Sequence, residues 1–459
     1  MSINQAVSNL WAWLETWLDE EGGVHGYVVH HHRDNLRFLS PDTWTQAPCI
    51  LGLLRIYQKT GEKRWLKLAT KLCDYVVNTY LHPLHLYHNS NHERKPLGKP
   101  GIIHNALPSY ALLEVAKEVK SATRQKYHRI AKDNILNFLL QLRNESTGAL
   151  TSIYHGKPSH IHNMNSAAVL ALTALSEIEQ DERYIEKYAR PIAKHILACQ
   201  VKTGHQYGAY PYVDTQRIYR TLYSLITSIG ILGLYEETND PKILKSVDEL
   251  VRNLANYVDS ETGLICHYHR KGFPQWIPDT LLFVLNTRWL ENEGIEIPIN
   301  VDDVLTKVLS RQYEHGGFPL SIGFEDLSYT KGLPSRPEIK RWRDLLPTPN
   351  WNAWNFWVLA ELLPQKSHIN KPTVVFPQIL ETDVEENEGP YKIVEDEKKV
   401  IFTSKKDEEI VGIFHKTNEV AAYCLIRERS DYWRTLESLN KYPEPLRRLI
   451  LALPNKFSW

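Results

Sequence analysis

The stretch "APCILGLLRIYQKTGEKRWLKLATKL", residues 47–72, holds two helical segments of opposite character around one short turn. The first, through Tyr57, is apolar nearly all round, the pattern of a helix buried on every side. The second, from Arg64 onward, repeats apolar residues at three- and four-residue steps, so one face is covered and the other is wet. The turn between them, "KTGEK", is short and polar, as antiparallel neighbours require. The stretch therefore reads as an inner helix followed by an outer one.

That unit recurs along the chain. Apolar runs of helix length begin near Asp42, His104, His162, Gln216, Asp279 and Asn350, at spacings of 54–71 residues. An amphipathic segment precedes each, from "AVSNLWAWLETWL" to "NVDDVLTKVLSRQY". Outer helix, long loop, inner helix and short turn thus occur six times. An open solenoid would carry polar capping repeats at its ends. Here the first and last inner segments are as apolar as the middle ones, so the expected fold is all-α: a closed (α/α)6 barrel, or toroid, of six helical hairpins over residues 1–366. Pro-Asp-Thr heads inner segments one and five, at 41–43 and 278–280, where Pro sets the entry and Asp or Thr caps free N–H groups. Residues 367–459 change pattern, with acids crowded in "ETDVEENE", then alternating strand-like segments and short helical ones. They are expected to form a small C-terminal α+β appendage that packs on the barrel or mediates a partner contact.

Two stretches, "APCILGLLRIYQKTGEKRWLKLATKL" and "SIGILGLYEETNDPKILKSVDELVRNL", resemble hairpins of the six-hairpin glycosidase-like superfamily. They share Gly-Leu followed by Tyr (Gly52-Leu53 with Tyr57, and Gly233-Leu234-Tyr235), a Thr-Gly or Asn-Asp turn, and then the outer helix. That superfamily includes N-acylglucosamine and cellobiose 2-epimerases, unsaturated glucuronyl hydrolases and toroidal polysaccharide lyases. The resemblance implies the toroid and a carbohydrate-active function, without matching any one family's catalytic motif.

The balance of charge narrows the partners. Lys+Arg 54 equals Asp+Glu 54, so no net field draws the chain to nucleic acid or an anionic membrane. No apolar run reaches the ~20 residues of a membrane span. The N-terminal segment has no basic head followed by an apolar core, and five scattered cysteines without a CxxC suit reduced thiols. A cytoplasmic protein acting on a small saccharide or acidic sugar is the expectation.

The long loops all meet the inner helices at their N-termini, on one side of the ring. Of 20 histidines, 16 fall in those loops or on the first residue of an inner segment. Histidine transfers protons near neutral pH without large tuning, so this rim suggests acid/base chemistry on a sugar, of the epimerase, isomerase or lyase type. Superfamily epimerases similarly use paired histidines in the barrel mouth. The candidate catalytic residues are His104, His162, His267, Asp42 and Asp279. Asn105 and Asn163 follow two of the histidines, His269 shares a strand face with His267, and Arg217 and Arg220 suit a carboxylate. Trp351 at the mouth could stack on a sugar ring. These six are the candidate substrate-binding residues. The competing readings are a glycoside hydrolase using Asp42 and Asp279, and a non-catalytic glycan- or partner-binding toroid. A third, a zinc toroid like the lanthionine cyclases, rests on Cys266-His267 alone. No metal site or cofactor is expected, because "HHH" and "HPLHLYHNSNH" lack a ligand set at standard spacing.

Overall fold

The structure, a computed structural model, describes residues 1–18, 22–24, 26–30, 35–39, 43–88, 101–272, 274–314, 316–322, 348–374, 391–395, 399–404, 410–415 and 422–424. Six outer helices alternate with six inner ones. The outer set is α1 (Ile3–Glu15), α3 (Lys63–Tyr80), α5 (Ser121–Asn137), α7 (Arg190–Cys199), α9 (Pro241–Ala255) and α11 (Val301–Leu309). The inner set is α2 (Thr43–Thr60), α4 (Ile102–Glu118), α6 (His162–Glu179), α8 (Thr221–Thr238), α10 (Ile277–Asn292) and α12 (Pro349–Glu361). Each inner helix packs on the next, and α12 packs back on α2. The protein is a closed (α/α)6 toroid.

Closure depends on small residues where inner helices cross. A Cβ on Gly230 of α8 would lie 2.4 Å from the Ser166 carbonyl oxygen of α6. On Gly52 of α2 it would lie 2.5 Å from the Phe356 ring of α12. Backbone and ring therefore occupy the space a side chain would take.

The long connections contribute short antiparallel strands: β1 (Gly26–His30) with β2 (Asn35–Leu39), β3 (Ser152–Tyr154) with β4 (Lys157–Ser159), and β5 (Gln275–Trp276) with β6 (Ser321–Ile322). The segment around His267 and His269, expected as a strand, is instead held by the single bridges Val258–Ile265 and Cys266–Gln275. Two helix starts also differ from the sequence pattern. Inner helix four begins at Thr221 rather than near Gln216, because Tyr212 N–H donates to the Ile218 carbonyl and turns the chain back first. Outer helix four opens into a π-turn over Ile185–Ala189, just before Pro191, which has no N–H to continue the α ladder.

One device recurs in all six hairpins. The fourth residue of every inner helix reaches the backbone of the chain arriving from the outer helix. Gln46, Asn105, Asn165 and Asn352 each accept from the N–H and donate to the C=O of one residue: Val24, Tyr87, Leu150 and Phe318 respectively. Ser224 does the same to Tyr210 with its hydroxyl, and Thr280 accepts from Ile265 N–H. All six side chains are buried.

Past residue 366 the chain still packs on the ring: Ser8 donates to the Asn370 carbonyl and Thr373 N–H donates to Asn9. Farther on, β7 (Tyr391–Glu395), β8 (Lys399–Ser404), β9 (Ile410–His415) and β10 (Ala422–Cys424) form an antiparallel sheet in the order β10-β9-β8-β7. The expected helices beyond them lie outside the described residues. No helix among the described residues is long and apolar enough to cross a membrane.

Replacing Asn165 by Leu leaves the buried Leu150 N–H and C=O without partners, at about 1–3 kcal/mol for each orphaned group. Urea denaturation should show that loss, while Lys245→Ala on the exposed face of α9 stays within about 0.5 kcal/mol of the parent.

Candidate functional site

The N-terminal ends of the inner helices carry an aromatic wall. Trp44 of α2 lies 6.3 Å from His104, 5.8 Å from Trp351 and 4.8 Å from Trp354, ring centre to ring centre. Trp351 in turn lies 5.9 Å from Trp276, and Trp276 stacks on His267 at 3.9 Å. His267 Nδ1 is 2.9 Å from Asp279 Oδ2. One continuous set of contacts thus joins His104, Trp351, His267 and Asp279 across inner helices α4, α2, α12 and α10.

Aligned on the clamp residue, these side chains share a helical station. His104, Asp279 and Trp351 are each third residues of their helices, one before Asn105, Thr280 and Asn352. The two Pro-Asp-Thr segments do not share one, since Thr43 is a first residue and Thr280 a fourth. Neither do the two His-Asn pairs: His162 is a first residue and His104 a third. Asn105, expected on substrate, is the clamp on Tyr87. In α6 that clamp is Asn165, and Asn163 is buried two positions earlier.

Exposure separates the candidates. His267 is 1 % exposed and Asp279 is 0 % exposed, beneath a fully buried Trp276. His104 is half-buried, and so are Trp44, Tyr212, Tyr223 and Arg220. The Arg220 guanidinium lies 5.7 Å from the Tyr212 ring and 5.6 Å from the Tyr223 ring, and Tyr212 adjoins Tyr154 at 5.7 Å. Arg217 is exposed on the same loop. His269 is 1 % exposed, 3.1 Å from the Ser224 hydroxyl. His162 stands apart, with its Nδ1 2.6 Å from the Pro211 carbonyl and His160, His195 and Asp214 as its titratable neighbours. Asp42 lies outside the described residues.

Burial sets the protonation of this end. It pushes His104 and His162 down to about 4 and His269 to about 3. It drives His267 well down, helped by the nearby Arg220 charge, and drives the Asp279 carboxyl well up. The histidines are therefore neutral at neutral pH, where an ordinary histidine's 6.5 would leave a fraction charged.

The opposite end is built differently. A cavity of about 300 Å³ opens among the C-terminal halves of the inner helices, lined by Arg55, Glu114, Lys117, Glu177, Glu236 and Glu361. Arg55 bridges Glu361 at 2.6 Å and Glu114 at 3.3 Å, and Lys117 pairs with Glu114 and Glu177. These ion pairs tie neighbouring inner helices together, while Glu236 accepts from the Trp289 indole N–H and its carboxyl is raised by burial.

Sequence reasoning singled out neither Trp44 and Trp276 nor Tyr154, Tyr212 and Tyr223. Aromatics at the starts of apolar runs were the available signal, but only the closed ring shows which ones meet.

No protein-family model matches the chain, and no curated protein matches it in sequence. Solved structures do match in shape. Cellobiose 2-epimerase from Bacillus thermoamylovorans superposes with a TM-score of 0.59 at 13 % identity, over 79 % of this chain and 99 % of that one. A D-mannose isomerase gives 0.57 at 11 %, over 78 % and 96 %. An unsaturated glucuronyl hydrolase specific for heparin gives 0.55 at 11 %, over 78 % and 95 %. At these identities the likeness shows the fold.

Because His269 is held at about 3 in the fold and at an ordinary 6.5 when unfolded, the unfolded chain takes up its proton first on acidification. That contribution to stability is intact above pH 6.5, declines as pH falls toward 3, and is flat below. The pH dependence of the urea midpoint should be shallower over that window in His269→Gln than in the parent chain.

Proposed function

On the premise that the chain carries the six-hairpin glycosidase-like fold, we propose that it is an enzyme acting on a small sugar or a uronic-acid-containing saccharide. The reaction is proton transfer of the epimerase, isomerase or lyase type. The observation that carries this reading is His104: a neutral, half-buried imidazole at an inner-helix N-terminus, set against the Trp44–Trp351–Trp276 wall. Its Nδ1 is 3.0 Å from the Thr43 hydroxyl. When Nδ1–H donates to Thr43, Nε2 presents a lone pair, the starting state of a base.

Such a base takes the proton next to a sugar carbonyl, and the C–H electron pair moves into that carbonyl to give an enediolate. Return of the proton to the other face of the same carbon gives the epimer. Return to the neighbouring carbon gives the isomer. If the carbonyl is a uronate carboxyl, loss of a β-leaving group gives the lyase product. The inner-helix N-termini favour the anionic intermediate. Arg220 supplies a guanidinium suited to a carboxylate, and the indoles suit a sugar face. The buried His267–Asp279 pair, hydrogen-bonded at 2.9 Å, is the second proton-transfer candidate. A hydrolase remains the second reading, because the raised Asp279 carboxyl is what a general acid needs; its proposed partner, Asp42, lies outside the described residues.

The test is a screen of reducing sugars and uronic acids in deuterated water, followed by NMR. Proton transfer puts deuterium at the carbon next to the carbonyl, and His104→Asn should cut turnover by ~10²–10⁴ with the fold unchanged by circular dichroism. Hydrolysis without deuterium incorporation would overturn proton transfer in favour of the carboxylate reading.

A further inference from the structure

Behind the start of α6, five side chains of metal-ligating type from three segments converge. His162 is the first residue of α6 and His160 lies two residues before it, His195 and Cys199 lie on α7, and Asp214 sits in the loop before α8. One donor atom from each of His162, His195 and Cys199 lies within 4.8 Å of the other two, and the same holds for His160, His195 and Asp214. The two triads share His195. Its Nε2 is 3.8 Å from Cys199 Sγ and 3.8 Å from Asp214 Oδ2, and that oxygen is 4.0 Å from His160 Nε2. Donors around a tetrahedral zinc stand roughly 3.3–3.8 Å apart, given bonds of about 2.0–2.3 Å. Each triad is therefore slightly wider than an occupied site, and binding one ion draws its three donors inward and brings a fourth from the other triad, with His160 Nε2 leaving the Thr147 hydroxyl 3.1 Å away if it is that donor.

We propose that this cluster is a binding site for a divalent transition metal of the zinc class, centred on His195.

The surroundings are arranged as metal-site surroundings are. His162 Nδ1 is 2.6 Å from the Pro211 carbonyl, and His160 Nδ1 is 3.2 Å from the Leu150 carbonyl. A carbonyl can only accept, so each Nδ1 carries the proton and each Nε2 carries the lone pair, the tautomer a metal needs. His162 Nε2 is buried and has no partner among the described residues. Such an atom costs stability unless something fills its coordination. The Asp214 carboxylate is aimed by its other oxygen, which accepts from His160 N–H at 3.0 Å. His195 and Cys199, four residues apart, share one face of α7. The three imidazoles, one carboxylate and one thiol, which releases its proton to solvent when the metal binds, favour a zinc-class ion over calcium or magnesium, which prefer oxygen. A thiolate and a carboxylate together neutralise its double charge.

The bound ion would pin inner helix α6, outer helix α7 and the Asp214 loop together, a structural role that leaves His104, His267 and Asp279 untouched. The inference departs from the expectation of no metal. His-Ile-His at 160–162 and His-x-x-x-Cys at 195–199 are separate fragments until the hairpins pack.

The test uses the full-length chain, stripped with a chelator and titrated with zinc by calorimetry, with elemental analysis after gel filtration. One ion per chain is expected, with a rise in the thermal midpoint. His195→Ala should weaken binding by ~100-fold or more and abolish the rise. Cobalt loading should give a thiolate-to-metal charge-transfer band that Cys199→Ser removes. If His195→Ala does not fold, Asp214→Asn on the loop takes its place. No stoichiometric ion in the parent chain, or equal affinity in the parent and the His195 or Asp214 variant, overturns the proposal.

Discussion

Each hairpin of the ring depends on one polar side chain at the fourth position of its inner helix. A chain that leaves an outer helix and dives toward the ring's interior brings an unpaired N–H and C=O into a place without water. Asn105, Asn165, Asn352 and Gln46 satisfy both groups with one amide, and Ser224 does so with one hydroxyl. Because burying those groups unmet costs about 1–3 kcal/mol each, the clamp fixes where every loop enters its helix. It also fixes which way the residues just before it point. The third station, one residue earlier, is where His104, Asp279 and Trp351 stand.

The two ends of the toroid then differ for an electrostatic reason. At the C-terminal ends of the inner helices, Arg55 and Lys117 bridge carboxylates of neighbouring helices, so the charges there are spent on closure. At the N-terminal ends, helix dipoles favour negative charge, and the described side chains there include the neutral imidazoles of His104 and His267 and the indoles of Trp44, Trp276 and Trp351. The buried acid Asp279 is held up by burial beside His267.

The fold was largely legible in the chain. Apolar and amphipathic segments alternate so regularly that six hairpins and their closure follow from periodicity, and the short turns leave only antiparallel neighbours. The starts that differed did so through local chemistry: Pro191 broke outer helix four, and the Tyr212–Ile218 bond delayed inner helix four. The appendage read as strand-like from its alternation, and four antiparallel strands are present among its described residues.

The candidate site was legible as a region and not as a set. Sequence position determined that His104, His267, Asp279 and Trp351 sit at or just before inner-helix N-termini, because helix starts follow from caps and apolar periods. It could not determine which of them meet. Repeated dipeptides suggested equivalence for His104 and His162, but a shift of two residues on a helix turns a side chain by roughly 200°. His104 therefore faces the Trp44 wall, while His162 faces His195 on an outer helix. Burial was equally invisible: only ring closure seals His267 and leaves His104 partly open, and burial lowers the basicity of His104, His162, His267 and His269. Periodicity is a property of neighbours along the chain, whereas contact, burial and ionisation belong to neighbours across it, and only the packed ring supplies those.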